Sequence, residues 1–248
     1  MSFGDMGKVF AIVPCYNEAG CVATTLHHLR QTHPEITIVA INDGSQDNTL
    51  QILRLLELEN LIIIDLPFNS GIGTAVQTGL LYAERNGAEY AVKFDSDGQH
   101  LAEEIPLLLE LLSNNSCDLA IGSRFIEPQK DGFKSTLFRR TGIRFFYFLS
   151  KLLTGHGITD CTSGFRAYNR KALEFAAKYY PHFDYPEPEE SILFLRNDFR
   201  IKEIHCKMAV RQSGKSSITL RKSFYFMFKV SFSMIMGRFR PAIRSKKS

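Results

Sequence analysis

The chain predicts an α/β fold: a mostly parallel, doubly wound sheet with helices on both faces. Three observations predict it. Apolar runs of strand length recur through the first half of the chain, the segments between them carry helix-period apolar spacing, and the polar motifs fall just after the runs. Alternation of this kind builds parallel sheets covered on both sides, and ligands of such sheets sit beyond the carboxyl ends of the strands.

The strands are expected at residues 9–14, 36–42, 61–66, 90–95 and 119–122, and the helices at 18–30, 47–58, 73–86 and 102–112. Ser45 or Asp47 offers an N-cap to the second helix. From about Lys130 the alternation breaks down. Residues 135–153 read as a helix rich in Phe and Leu with Arg139, Arg140 and Arg144 along it, followed by the turn Gly155-His156-Gly157. No internal repeat, low-complexity stretch or linker marks a boundary, so 248 residues make one domain over 1–220 with a basic helix and tail over 221–248.

Charge is distributed unevenly. Eleven of the 30 Lys and Arg follow Glu203, after which no acidic residue occurs, so 19 cations face all 26 Asp and Glu in the preceding part. Such a split points to an anionic partner for the tail, either a membrane surface or a nucleic acid. Cys15, Cys21, Cys117, Cys161 and Cys206 show neither Cys-x-x-Cys pairing nor zinc spacing, which fits a reducing cytosol. Residues 1–8 lack a signal-peptide pattern, so the catalytic body is expected inside the cell.

Asp95-Ser96-Asp97, at the end of Tyr90-Ala91-Val92-Lys93-Phe94, is the sharpest motif. Two carboxylates one residue apart at a strand end can both reach a hard divalent cation, and such a cation commonly holds a diphosphate. The plainer reading is an acidic turn. Three further turns argue against it: Pro14-Cys15-Tyr16-Asn17-Glu18, Asn42-Asp43-Gly44-Ser45-Gln46-Asp47 and Asn69-Ser70-Gly71-Ile72-Gly73. Together they supply carboxylates for base and ribose and Gly for close backbone approach, as a nucleotide pocket requires.

These motifs, in this order and spacing, resemble the family 2 glycosyltransferases, with their nucleotide-diphospho-sugar transferase (A-type) fold, over roughly residues 7–220. Gly122-Ser123-Arg124-Phe125, Asp160-Cys161-Thr162-Ser163-Gly164-Phe165-Arg166 and Arg211-Gln212-Ser213-Gly214-Lys215-Ser216 resemble the branch of dolichyl- and polyprenyl-phosphate sugar synthases and their polysaccharide-building relatives. The resemblance implies Asp43 and Glu18 near base and ribose, Pro14 and Tyr16 shaping that pocket, and Asn69 and Ser96 on its turns. It implies that Asp95, Asp97 and Gln99 hold Mg²⁺ or Mn²⁺. Arg211 and Ser216 would lie on a loop closing over the diphosphate. Asn42, where many relatives carry a second Asp, and Ile72, where a basic residue is common, depart from the pattern and leave the nucleotide base open.

An inverting transferase needs a general base for a hydroxyl acceptor, or none for a phosphate already ionised at neutral pH. Tyr185-Pro186-Glu187-Pro188-Glu189-Glu190 occupies the place of the family's acidic catalytic motif, making Glu187 and then Glu189 candidates for the base, with Asp160 in reserve. Carboxylates also favour helix N-termini regardless of function. His100 is read as lining the acceptor side.

The segment 223–236 is Phe- and Met-rich, with Lys222, Lys229 and Ser233 on one stripe. As a helix, about 14 residues cover only about 21 Å, short of a bilayer core. It suits an in-plane anchor on an anionic membrane surface, or else a contact with the domain, a second copy or a small membrane-protein partner. Its Phe and Met suit lipid better than a nucleic acid. The leading expectation is therefore an inverting, metal-dependent transferase moving a sugar from a nucleotide-diphosphate donor to a lipid-linked or polysaccharide acceptor of the cell envelope. A polyprenyl-phosphate monosaccharide synthase is the alternative. A catalytically inactive nucleotide-sugar-binding protein is the non-enzymatic reading. A dinucleotide oxidoreductase is disfavoured because Gly71-Ile72-Gly73 lacks the third Gly and follows the third strand.

Overall fold

The computed structural model of the chain describes residues 7–126, 137–181, 185–209 and 220–240. Seven strands form one sheet: β1 (Val9–Cys15), β2 (Thr37–Asp43), β3 (Leu61–Leu66), β4 (Tyr90–Lys93), β5 (Leu119–Ser123), β6 (Arg166–Asn169) and β7 (Ile201–His205). Their spatial order is β3-β2-β1-β4-β6-β5-β7, with β6 antiparallel to both neighbours and every other pairing parallel.

The helices are α1 (Val22–Thr32), α2 (Thr49–Leu55), α3 (Ile72–Arg85), α4 (Ile105–Ser113), α5 (Leu137–Thr154), α6 (Arg170–Tyr179), α7 (Pro186–Arg196) and α8 (Leu220–Phe239). Successive strand residues point to opposite faces and so divide the core in two. Ala11 and Val13 pack beneath α1, α2 and α4, whereas Ile12 and Ile41 pack beneath α3, in a layer continued by α6, α7 and α8.

The differences from the expected elements lie mostly at the cleft. Residues 18–21 form a turn before α1, because the Glu18 N–H donates to Thr49 Oγ1 at 2.8 Å and its carbonyl accepts from Cys21 and Val22. The Asp47 carboxylate accepts from the Thr49 N–H at 2.9 Å and the Ala19 N–H at 3.1 Å, although Asn48 holds the cap position. Strand β4 stops before Asp95, whose N–H donates to His100 Nδ1 at 2.9 Å instead of a ladder carbonyl. Strands β6 and β7 and helix α6 were not foreseen. Asn169 caps α6 by accepting from the Ala172 N–H at 2.9 Å.

Helix α8 packs on both α5 and α7, burying Val230, Ser233 and Met234. No helix among the described residues is long and apolar enough to cross a membrane.

Candidate functional site

A cleft of about 430 Å³ opens at the carboxyl ends of β1, β2 and β4. Its first three walls are the three expected nucleotide turns, stitched together by hydrogen bonds. The Asn17 N–H donates to Ser45 Oγ at 3.0 Å and Asn17 Oδ1 accepts from the Gln46 N–H at 2.8 Å, closing the first turn on the second. Asp43 closes the second on the third, accepting from the N–H groups of Ser70 (2.7 Å) and Gly71 (3.0 Å). Gly44 is required at that junction: its φ is +62° and a Cβ would stand 2.4 Å from the Phe68 carbonyl carbon. Asn69 Oδ1 accepts from the same Gly71 N–H at 3.1 Å. Pro14, Tyr16, Glu18, Asp43 and Asn69 all line the cleft. Cys15 lines it too, but burial pushes its thiol up to about 12, so it is no nucleophile at neutral pH.

Asp95, Ser96 and Asp97 form the floor. Ser96 Oγ donates to the Pro14 carbonyl at 2.9 Å, which pins the acidic turn to the first nucleotide turn. Two carboxylates facing an open cleft fit a hard cation that completes its shell with phosphate oxygens and water. Among the described residues no group of three or more His, Cys, Asp and Glu could hold a metal by itself. Gln99, expected as a third ligand, is not part of the cleft lining; its backbone carbonyl accepts from the Ala209 N–H at 2.9 Å.

His100 does not line the cleft either. It is buried, stacked on Phe165 at 4.7 Å, with Nδ1 accepting from the Asp95 N–H and Nε2 3.4 Å from Asp95 Oδ2. Burial lowers its pKa more than the neighbouring Asp95 and Asp97 raise it, so the ring is a neutral support that orients Asp95 from below.

The candidate bases separate. Glu187 lines the cleft and forms an ion pair with Lys93 Nζ, a fully buried ammonium inside β4. Burial pushes Lys93 down, but the carboxylates of Glu187 and Asp95 outweigh it and its pKa is raised. Gly164 leaves room for Lys93 beside Asp95: a Cβ there would lie 3.0 Å from Asp95 Oδ2 and 3.3 Å from Lys93 Nζ.

Glu189, two residues on, is carried roughly 200° around the helix and faces away from the cleft. It is fully buried against α8, accepting from Ser233 Oγ at 3.1 Å and paired with Arg240 Nη2 at 2.9 Å. Asp160 is also turned inward: it receives Arg124 Nε and Nη2, both at 2.7 Å, and the Arg124 N–H at 3.1 Å. That bidentate pair raises the Arg124 pKa even though burial opposes it. Neither Glu189 nor Asp160 lines the cleft. Arg211 and Ser216 lie outside the described residues.

Lys93, Thr162, Gly164 and Tyr185 complete the cleft and were not singled out from sequence. Lys93 carried a signal, as the one charge within the apolar run 90–94.

Comparison with known proteins identifies the family and the fold. The profile described as glycosyl transferase family 2 matches residues 10–175. The chain is 30% identical over 244 residues to UDP-N-acetylglucosamine–dolichyl-phosphate N-acetylglucosaminyltransferase of Methanococcus voltae, covering 92% of this chain and 95% of that protein. It is 27% identical over 240 residues to polyprenol monophosphomannose synthase of Mycolicibacterium smegmatis, covering 93% and 88%. Among solved structures, glucosyl-3-phosphoglycerate synthase from Mycobacterium tuberculosis, crystallised with Mn²⁺, UDP-glucose and phosphoglyceric acid, superposes with a TM-score of 0.71 at 15% identity, over 97% of this chain and 85% of that one. The A-type fold expected from sequence is therefore present, and the chain belongs to glycosyl transferase family 2.

Proposed function

We propose that this glycosyltransferase moves a single sugar from a nucleotide-diphosphate donor to the phosphate of a polyprenyl lipid, with inversion at the anomeric carbon. The observation that carries this reading is the state of the five carboxylates lining the cleft. Asp43 holds the third turn, Glu18 accepts from Cys21 Sγ at 3.0 Å, Asp95 and Asp97 would be taken up by the cation, and Glu187 is ion-paired with Lys93. A hydroxyl acceptor needs one of them as a base. A phosphate acceptor needs none, because its oxygen is already an anion at neutral pH.

In this scheme Asp43, Glu18 and Tyr16 hold the nucleoside, and Asn69 and Ser96 shape the turns around it. Asp95 and Asp97 would hold Mg²⁺ or Mn²⁺, which when bound withdraws charge from the leaving diphosphate. An oxygen of the acceptor phosphate bonds to the anomeric carbon, the bond from that carbon to the donor's diphosphate oxygen breaks, and the nucleoside diphosphate leaves with the electron pair. Arg211 and Ser216 would close over that diphosphate. The Methanococcus relative, named for transfer to dolichyl phosphate, and the Mycolicibacterium relative, named for synthesis of polyprenol monophosphomannose, support the acceptor class. The basic C-terminal helix suits work at an anionic membrane surface.

The test is a panel of UDP-, GDP- and dTDP-sugars offered with short-chain polyprenyl phosphate or the matching polyprenol. Transfer to the phosphate alone is expected, with Glu187→Gln retaining turnover within about tenfold when assayed at a temperature where thermal melting shows it folded. Transfer to the alcohol together with a loss of roughly two to four orders of magnitude in Glu187→Gln would restore the general-base reading and a glycan acceptor.

A further inference from the structure

Helices α5 and α8 carry eight Lys and Arg between them and no Asp or Glu. They touch each other and both lie on α7, so they form a layer whose outer side faces away from the core. On α5 the exposed residues recur at helical spacing: Arg144, Phe145, Phe148, Lys151 and Leu152. On α8 the exposed stripe runs through Phe228, Phe232 and Phe239, and Arg238 lies beside it. Leu152 is 83% exposed and Phe239 75%, so among the described residues nothing covers these side chains.

We infer that α5 and α8 together are a docking surface for anionic lipid, and that α5 is as much a part of it as the C-terminal helix. The inference rests on the lipid-acceptor reading for its purpose, and its geometry deepens that reading. Lys229 of α8 sits over the ring of Tyr185 at 5.8 Å, and Tyr185 lines the catalytic cleft. The lipid face therefore adjoins the cleft, where an acceptor phosphate can enter while its chain stays with the membrane.

Charge selects the occupant. Aromatic side chains interleaved with cations match the headgroup boundary of an acidic bilayer. A second copy of the chain docked by the same face would set Arg144, Lys151 and Arg238 against their own counterparts with no acid on either helix to pair them.

The experiment is co-sedimentation of the full chain with phosphatidylcholine vesicles with and without phosphatidylglycerol, at low and high salt. Wild type is expected to bind only the acidic vesicles, less at high salt. Phe148→Ser with Leu152→Ser on α5, and separately Phe228→Ser with Phe232→Ser on α8, should each weaken binding by on the order of tenfold or more. Thermal melting and transfer to a short, water-soluble acceptor phosphate should stay as in wild type, because these side chains are exposed and none lines the cleft.

Wild-type binding with unaltered binding of the α5 variant would overturn the joint surface. Absence of vesicle binding, or a wild-type dimer in light scattering that the variants dissociate, would overturn lipid as the occupant. If vesicle binding behaves as expected but no acceptor phosphate is used, the functional reading fails alone.

Discussion

Glu189 accepts a hydrogen bond from Ser233 Oγ at 3.1 Å across the seam between α7 and α8. The same carboxylate pairs with Arg240, while Arg196 of α7 donates to the backbone carbonyls of Gly237 and Arg240 at the end of α8. An acidic residue two positions from the cleft-lining Glu187 thus ties the C-terminal helix to the body. Glu189→Gln is expected to lower stability by roughly 1–3 kcal/mol, because it removes charge from a buried hydrogen-bonded pair. Turnover at a temperature where the variant is folded should remain within about threefold. A loss of two orders of magnitude in kcat with unchanged melting would return Glu189 to the chemistry.

Asp97→Ala should leave the melting temperature within a few degrees of wild type, because the side chain lines the cleft rather than the core. Turnover should fall on the order of a hundredfold or more, with weaker nucleotide-diphosphate binding by calorimetry. Saturating EDTA should reproduce that phenotype in wild type. Full turnover in chelator would remove the cation from the mechanism.

Lys93→Met leaves the Glu187 carboxylate without its ammonium in a site that is almost closed to water. Removing one member of such a pair costs about 3–5 kcal/mol, whereas removing both can be close to neutral. The single variant should therefore unfold at markedly lower denaturant, and Lys93→Met combined with Glu187→Leu should recover most of the loss. Chemical denaturation of wild type and the two variants measures the difference. A double variant no more stable than Lys93→Met would show that the pair does not account for the cost.

Asp118 links β5, β6 and β7: it accepts from the Arg200 backbone N–H (2.9 Å), from Arg200 Nη2 (3.1 Å) and from Asn169 Nδ2 (3.1 Å). Burial alone would raise its pKa, but these donors together lower it. A carboxyl depressed in the folded state contributes stability that is complete above the unfolded value of about 3.9 and is lost as pH falls through the lower folded value. Wild type should therefore lose stability on acidification below about pH 4, and Asp118→Asn should be less stable at neutral pH with a flatter acid limb. Parallel acid limbs in the two proteins would exclude Asp118 as a contributor.

The positions of the first five strands along the chain and the turns that follow them could be read from sequence, because a strand covered on both faces must be apolar throughout and its ligand-facing end must be polar. That is why Pro14, Tyr16, Glu18, Asp43, Asn69, Asp95, Ser96 and Asp97 converge on one cleft as expected. The second half resisted the same reading. Strand β6 is four residues long and runs against its neighbours, and β7 is an edge strand with partly exposed residues.

Sequence alone determined the fold class, the family and the acidic floor of the cleft, since each depends on local residue type and spacing. Tertiary structure decided which way the remaining acids point. Glu187 and Glu189 differ by two positions, which on a helix separates their directions by roughly 200°, so one meets Lys93 in the cleft and the other meets Ser233 under α8. Asp160 is committed to Arg124, 36 residues away in the chain. Pairings of this kind depend on how distant segments are brought together, which one-dimensional periodicity does not encode.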